Sequence, residues 1–508
     1  MGADAPPSLS SIPRDQELVL LGGESSDPRE YDPATGHGDS FVFSGLVTFD
    51  PQLHIVPDLA RSWDVGARGA VYTFHLRRNA RFHDGRPVTA RDVVYSWERA
   101  AAPATGSDTV LTYLGDIVGV RDRFAGKAQH IRGLRVLDDH TLRVTLDAPK
   151  PYFLGKLTYS TAAVVDHFNV ASGPNWYRTP NGSGPYRLRR WQPGQYKLYD
   201  RFDRFYLRPP RIRYVLVRLF AGVGIRLYET GDIDMTGVGS YNAESVRDPQ
   251  NPLHRDLVQG VDMCTEKVTF DVTQPPFDDP RVRQAFALAV DRQRYVDLVL
   301  HGVGLPARGL YPPSLPGYDA GLAGQTFDPT AARRLLARSR YKTVRALPPI
   351  VLTTSGFGGY EAPGVAALAA MWQRTLGVSI EIENVEPDRY VDELHAGRHG
   401  GLFFDGWCAD YPDPENFADA LFHSGAQANL GHYSNHALDV LLERARVEPD
   451  VTARLPMYDR AQRIIVGDAA AIFLAHGESL ALVKPYVRGY VFTPLSVPIV
   501  RYLSLRPH

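Results

Sequence analysis

Pro349-Ile350-Val351-Leu352-Thr353-Thr354-Ser355-Gly356 reads as a buried strand, and it opens the stretch that decides the fold class. Further strand runs follow at 378–384 and 402–404, with helical patterns at 364–375 and 387–396 between them. Strand and helix in alternation predict βαβ units and a sheet with parallel strands, hence an α/β fold. The last of these strands, Leu402-Phe403-Phe404, leads to Gly406-Trp407-Cys408-Ala409-Asp410-Tyr411-Pro412-Asp413-Pro414-Glu415-Asn416-Phe417. Two prolines oppose helix there and leave backbone groups without ladder partners. A loop with Trp, Tyr and three carboxylates just past a buried strand is suited to binding rather than to core packing. Trp407 offers a flat apolar wall with one donor. Asp410, if partly buried beside it, needs a cation or several donors. On these residues alone a solvated acidic loop with a half-buried Trp is an equal reading.

Outward from this stretch, Asp279 predicts a helix N-cap with Pro280 in the first turn, and Val282, Phe286, Ala289 and Val290 fall on one face. Arg283 lies off that face, where a local partner is expected. Asp328-Pro329 caps a helix through Leu336, and 436–447 and 453–467 are amphipathic helices. Upstream, Leu18–Leu21, Tyr72–Leu76 and Lys267–Asp271 read as strands, 41–49 as a short helix or strand, and His130–Leu146 as two strands around Asp138-Asp139. Thr89 with Asp92 gives a capping-box start. The Gly-rich Asn181–Tyr186 precedes strands, so it is a turn rather than a phosphate cradle.

At 508 residues the chain exceeds one core, so two or three domains are expected. A net charge of -1 gives no reason to expect nucleic acid or anionic lipid as partner. No apolar run approaches the roughly 20 residues that span a bilayer. Met1–Pro13 has no positive region followed by an apolar one, so it is not a secretory signal. A signal removed upstream, with Met1-Gly2 as remnant and a lipid-anchoring Cys lost with it, is the expectation. Cys264 and Cys408 are the only cysteines; they are two buried thiols or, as is commoner in secreted proteins, a pair. The pairs His395/His399 and His432/His436 lack the glutamate of HExxH, and no CxxC occurs, so no metal or other cofactor is expected. No GxSxG occurs, neither cysteine is set up as a nucleophile, and His83-Asp84 has no accompanying second base, which argues against an enzyme.

Several runs together resemble the periplasmic oligopeptide-binding proteins, members of the family 5 extracytoplasmic solute-binding proteins of ABC importers. They are Trp407-Cys408-Ala409-Asp410-Tyr411, the block Phe82–Trp97 with Asp84-Gly85 and Val88-Thr89-Ala90, Gly182-Ser183-Gly184-Pro185-Tyr186, Gly231-Asp232-Ile233-Asp234, Pro275-Pro276-Phe277 through Arg281-Val282-Arg283-Gln284-Ala285, and Leu482-Val483-Lys484-Pro485. The resemblance implies a two-lobed periplasmic-binding-protein fold of type II, with an extra domain inserted in the first lobe and a hinge between lobes that close on the ligand. It places the first lobe at 14–45, 177–262 and 488–508, the extra domain at 46–176 and the second lobe at 263–487.

The resemblance also implies a function: a monomeric receptor that binds extended oligopeptides and delivers them to membrane permease subunits, in the periplasm or lipid-anchored outside the cytoplasmic membrane. Gly406 and Cys408 match positions giving backbone bonds to the peptide. Trp407 and Tyr411 match positions in the ligand-flanking segment, Asp410 the anchor of the α-amino group, Arg398 an arginine of the same region, and Cys264 and Cys408 a disulfide-linked pair. The sequence departs from the pattern in three places, the first being that a ligand-side Tyr is absent near Thr109–Thr112. Phe404 stands where that family has an Arg, and Ala475-His476-Gly477-Glu478 stands where it has a tyrosine-rich lining, which puts His476 and Glu478 at the site. Added acid at Asp405 and Glu478 is compatible with basic, Arg-containing peptides, although local salt bridges are the favoured account of both. Other solutes taken by the same fold (an oligosaccharide, a nickel chelate or haem), a role in an antibiotic biosynthesis cluster, and a secreted hydrolase are the alternatives. Asp410 favours an amine-bearing ligand over a sugar.

Overall fold

The computed structural model describes residues 7–36, 38–356, 363–495 and 497–507, so Met1-Gly2 lies outside the described residues. The chain forms two compact units. The first runs to Val238 and adds Pro249–Val258 and the chain from Leu480 onward; the second holds Gly239–Asp248 and Gln259–Ser479. The breaks therefore fall at 258/259 and 479/480, where the sequence reading has 262/263 and 487/488, and Gly239–Asp248 joins the second unit.

In the first unit, strand Glu17–Gly22 pairs in parallel with Tyr214–Leu219 and with Met235–Gly237, and Tyr196–Arg201 and Tyr186–Gln192 extend the sheet antiparallel beyond Tyr214–Leu219. Leu18, Tyr186, Tyr199 and Val215 are buried against Val487 and Leu503 from the C-terminal stretch. A separate four-stranded antiparallel sheet, Ala60–Gly66, Val71–Leu76, Thr141–Thr145 and Leu134–Asp138, carries its own core with Phe74, Phe82, Trp97, Leu142 and Phe153. This core is that of the extra domain, and it also takes Phe202, Phe205 and Tyr206 from outside the expected 46–176 range. Its helix Ala90–Ala100 starts as the capping pattern predicts: the Asp92 carboxylate accepts from the Thr89 N–H at 2.8 Å. The run 41–49 forms no helix; only Val47–Phe49 is regular, as a strand.

In the second unit the strand order is Glu381–Val385, Val351–Ser355, Leu402–Cys408, Leu257–Phe270 and Ala471–Val483. Val351–Ser355 runs parallel to both Glu381–Val385 and Leu402–Cys408. Helices Pro363–Leu376 and Pro387–His395 make the crossovers. Val268, Phe270, Phe286, Leu352, Trp372 and Leu402 form the core. Two strands are longer than their apolar runs suggest. Leu257–Phe270 begins well before Lys267, and Leu402–Cys408 continues through Trp407, because the two pair residue for residue from Cys264/Cys408 to Phe270/Leu402. The ladder supplies what the local pattern lacks. Pro412 and Pro414 do break the chain, but helix Glu415–Phe422 starts directly after Pro414, where no intrahelical bond is lost.

Arg283 has the local partner expected of it and distant ones besides. It is buried, and its guanidinium donates to the carbonyls of Phe277 (2.7 Å), Asp468 (3.0 Å) and Ala469 (3.2 Å), tying helix Pro280–Leu288 to the end of helix Val451–Gly467. Arg283→Met should leave those acceptors without their donor and lower unfolding stability by about 2–4 kcal/mol, read as a shifted midpoint in urea.

Candidate functional site

The site is built on strand Leu402–Cys408 of the second unit. Ala409 N–H donates to the Met263 carbonyl at 2.8 Å, which sets the phase of the ladder. In an antiparallel pair alternate residues turn both backbone groups to the same side. Asp405, Trp407 and Ala409 therefore face strand Leu257–Phe270, and Phe404, Gly406 and Cys408 turn away. On that far side Val351–Ser355 reaches only Leu402 and Phe403. The Phe404 carbonyl accepts from the Tyr390 hydroxyl at 2.6 Å. Gly406 and Cys408 are exposed, and among the described residues no neighbouring strand covers their outward N–H and C=O groups. The strand thus ends in a short open edge.

Cys264 and Cys408 sit opposite each other, with Cα atoms 4.0 Å apart, and are joined by a disulfide. This places the bond in a non-hydrogen-bonded pair, the close kind in an antiparallel ladder. Immediately beyond, Asn416 organises the loop. It is fully buried, accepts from the Trp407 indole N–H (3.2 Å) and the Asp410 backbone N–H (2.9 Å), and donates to the Asp410 carboxylate (3.2 Å). Trp407 and Asp410 are both half-buried. Arg454, itself buried, holds Asp413 with two bonds of 2.7 and 2.6 Å and fixes the loop to helix Val451–Gly467.

Several expected ligand contacts are engaged inside the protein instead. Asp405 lies directly across from Lys267 and pairs with its ammonium and with the Thr269 hydroxyl. Burial raises its pKa, and Lys267 opposes this. Glu478 pairs with Arg247 at 2.7 Å and accepts from the Gly304 N–H at 3.2 Å. The acid read as compatible with basic ligands is therefore already matched by cations. Arg398, which is largely exposed, pairs with Glu393. Tyr411 is buried and donates to the Glu415 carboxylate. His476 is buried, with Nδ1 2.9 Å from the Thr265 hydroxyl, and burial brings its pKa down to about 4, so it is neutral. Of the expected set, Gly406, Trp407, Cys408 and Asp410 come together at the open edge. Sequence reasoning missed Asn416, although it lies within the same run; nothing in its spacing to Asp410 announces the contact. It missed Lys267 because only strand register pairs it with Asp405. His83, as expected, is structural: it is buried, bonds the Gly184 carbonyl at 3.1 Å, and burial takes its pKa down to about 3.

Two α/β units, each with parallel strands, are the architecture of the type II periplasmic-binding class. Residues 54–429 match the family of bacterial extracellular solute-binding proteins, family 5. The chain is 31% identical to the periplasmic oligopeptide-binding protein OppA of Salmonella typhimurium over 100% of this chain and 95% of that one. It is 30% identical to the probable deoxycholate-binding periplasmic protein YgiS of Escherichia coli over 100% and 96%. The structure of the murein tripeptide-binding protein MppA of E. coli superposes with a TM-score of 0.85 at 26% identity, covering 98% of this chain and 100% of that one. The chain belongs to family 5 of the bacterial extracellular solute-binding proteins.

Two outcomes follow from this geometry. Denatured, unreduced protein should show no free thiol on titration. Glu266, opposite Gly406, is pushed up to about 7 by burial, against a hydrogen bond from Tyr295. The folded protein then keeps a proton that the unfolded chain releases, so this group favours folding fully below about pH 4.5 and loses that contribution as pH rises to 7. Glu266→Gln should remove a pH-dependent loss of up to about 3 kcal/mol, visible when wild type and variant are denatured in urea at pH 4.5 and at pH 7.5.

Proposed function

We propose that this chain is the extracytoplasmic substrate-binding component of an ABC importer and that it takes peptides in extended form. One observation carries this reading: the open strand edge at Gly406 and Cys408, which ends at the carboxylate of Asp410. An extended peptide can add to such an edge as a further strand, using main-chain groups common to every sequence. Asp410, placed by Asn416, then meets the peptide's α-amino group, and Trp407 flanks the first residues. The named ligands of relatives, oligopeptides for OppA and a murein tripeptide for MppA, support the assignment. Deoxycholate, named for YgiS, has neither an amide backbone for the edge nor an amino group for Asp410. The periplasmic location of these relatives supports an extracytoplasmic site of action. Among the described residues no helix is long and apolar enough to cross a membrane.

An enclosed ammonium loses its water and needs a full negative charge opposite. Asp410→Asn keeps the shape and removes the charge, so it should weaken binding of trialanine by about 2–5 kcal/mol in titration calorimetry. N-acetylation of trialanine should cost a similar amount, and the two changes together less than their sum, since both remove one interaction. Equal binding of acetylated and free trialanine to the wild type would remove Asp410 as anchor.

A further inference from the structure

Helices His436–Val447 and Val451–Gly467 of the second unit are joined by the short loop 448–450 and pack as an antiparallel pair. Their inner faces bury Leu438, Leu442 and Ala445 from the first helix and Tyr458, Ala461 and Ile465 from the second. A groove of about 400 Å³ lies between two other stripes of the same helices. The first helix lines it with Ala437, Val440, Leu441 and Arg444, which fall on one helical face. The second lines it with Arg460, Arg463 and Ile464, again on one face. The floor is aliphatic and open to water: Val440 is 42% exposed, Ala437 is exposed, and Leu441 and Ile464 are half-buried. The volume lies within the range of ligand pockets, about 300–1,000 Å³.

The charges at the groove are all of one sign, and only part of them is engaged. Arg463 donates to Asp459 at 3.0 Å and to Asp319. Arg444 and Arg460 are exposed, and among the described residues they make no hydrogen bond and no ion pair. The acids nearest in sequence are engaged elsewhere. Asp439 accepts from the Ser424 N–H (3.0 Å) and hydroxyl (2.7 Å). Glu443 lies 3.4 Å from the His423 ring nitrogen. Glu448 accepts from the Asp450 N–H (3.0 Å), and Asp450 caps the second helix by accepting from the Thr452 N–H (2.9 Å). Two guanidinium groups with uncommitted donors therefore share one groove with an aliphatic floor. A guanidinium presents a planar fork of donors that matches a carboxylate. An exposed ion pair alone contributes little, so a bare anion would bind weakly and leave the floor wet. A neutral chain would cover the floor and leave both arginines unmatched. A molecule that carries chain and anion together satisfies both.

We propose that this groove binds one anionic amphiphile, an aliphatic chain ending in a carboxylate, with the chain on Val440, Leu441 and Ile464 and the carboxylate at Arg444 and Arg460. The site lies wholly within the second unit and is separate from the strand edge at Gly406 and Cys408. It does not depend on the peptide reading.

The test is calorimetry with dodecanoate kept monomeric, compared with dodecanol, which lacks the charge, and butanoate, which lacks the chain. Wild type should bind dodecanoate about tenfold or more tighter than either. Saturating trialanine should leave that affinity unchanged. The double variant Arg444→Gln, Arg460→Gln should bind dodecanoate no better than dodecanol, with the midpoint of unfolding in urea as in wild type. Val440→Glu sets a like charge on the floor; it should weaken dodecanoate by a similar factor and serves if the double variant is unstable. Equal binding of dodecanoate and dodecanol, wild-type affinity in both variants, or displacement of dodecanoate by trialanine would overturn the proposal. So would binding to phosphatidylglycerol vesicles without binding of monomeric dodecanoate, which would make the groove a membrane contact instead.

Discussion

The residue-for-residue pairing of Leu402–Cys408 with Leu257–Phe270 is the constraint on which the candidate site depends. It carries a strand with an unfavourable local pattern, Asp405-Gly406-Trp407-Cys408, out beyond the reach of Val351–Ser355. The disulfide closes the ladder at its last pair. A strand held firmly on one side and uncovered on the other presents backbone donors and acceptors at fixed positions, and so is preorganised for main-chain recognition. Without that pairing, Gly406 and the two following prolines would favour a mobile loop, and Asp410 would have no fixed place relative to the edge.

Three acids near the candidate site are engaged with cations inside the second unit. Asp405 with Lys267, Glu478 with Arg247, and Asp413 with Arg454 are matched within the second unit, and each serves to fix a strand or loop. Partly buried pairs of this sort hold geometry more than they add stability, since desolvation offsets much of their attraction. Asp410 accepts from the side-chain amide of the buried Asn416. A count of acids and bases cannot show such pairing; for Asp405 and Glu478 it is the local salt-bridge account that the sequence favoured over a basic ligand.

Much of the architecture is legible in local chemistry. Asp279-Pro280 and Asp328-Pro329 announce helix starts because a capping carboxylate and a preset φ act within one turn. The alternation after Ile350 announces parallel strands because burial on both faces demands apolar runs. The Trp407–Tyr411 stretch stands out because aromatic and acidic residues after such a strand have no core to enter. Arg283 was read in part: its local partner is the Phe277 carbonyl, but it also donates to carbonyls nearly two hundred residues away.

The sequence by itself determined the fold class, the order of most strands and helices, the family and the segment that carries the candidate site, since these follow from interactions within a few residues or from motifs read whole. The tertiary structure alone decided which side of Leu402–Cys408 is open and which acids are already paired. Those outcomes depend on strand register and on contacts between distant segments. A register shift by one residue would turn Gly406 and Cys408 toward the partner strand and leave every local signal unchanged.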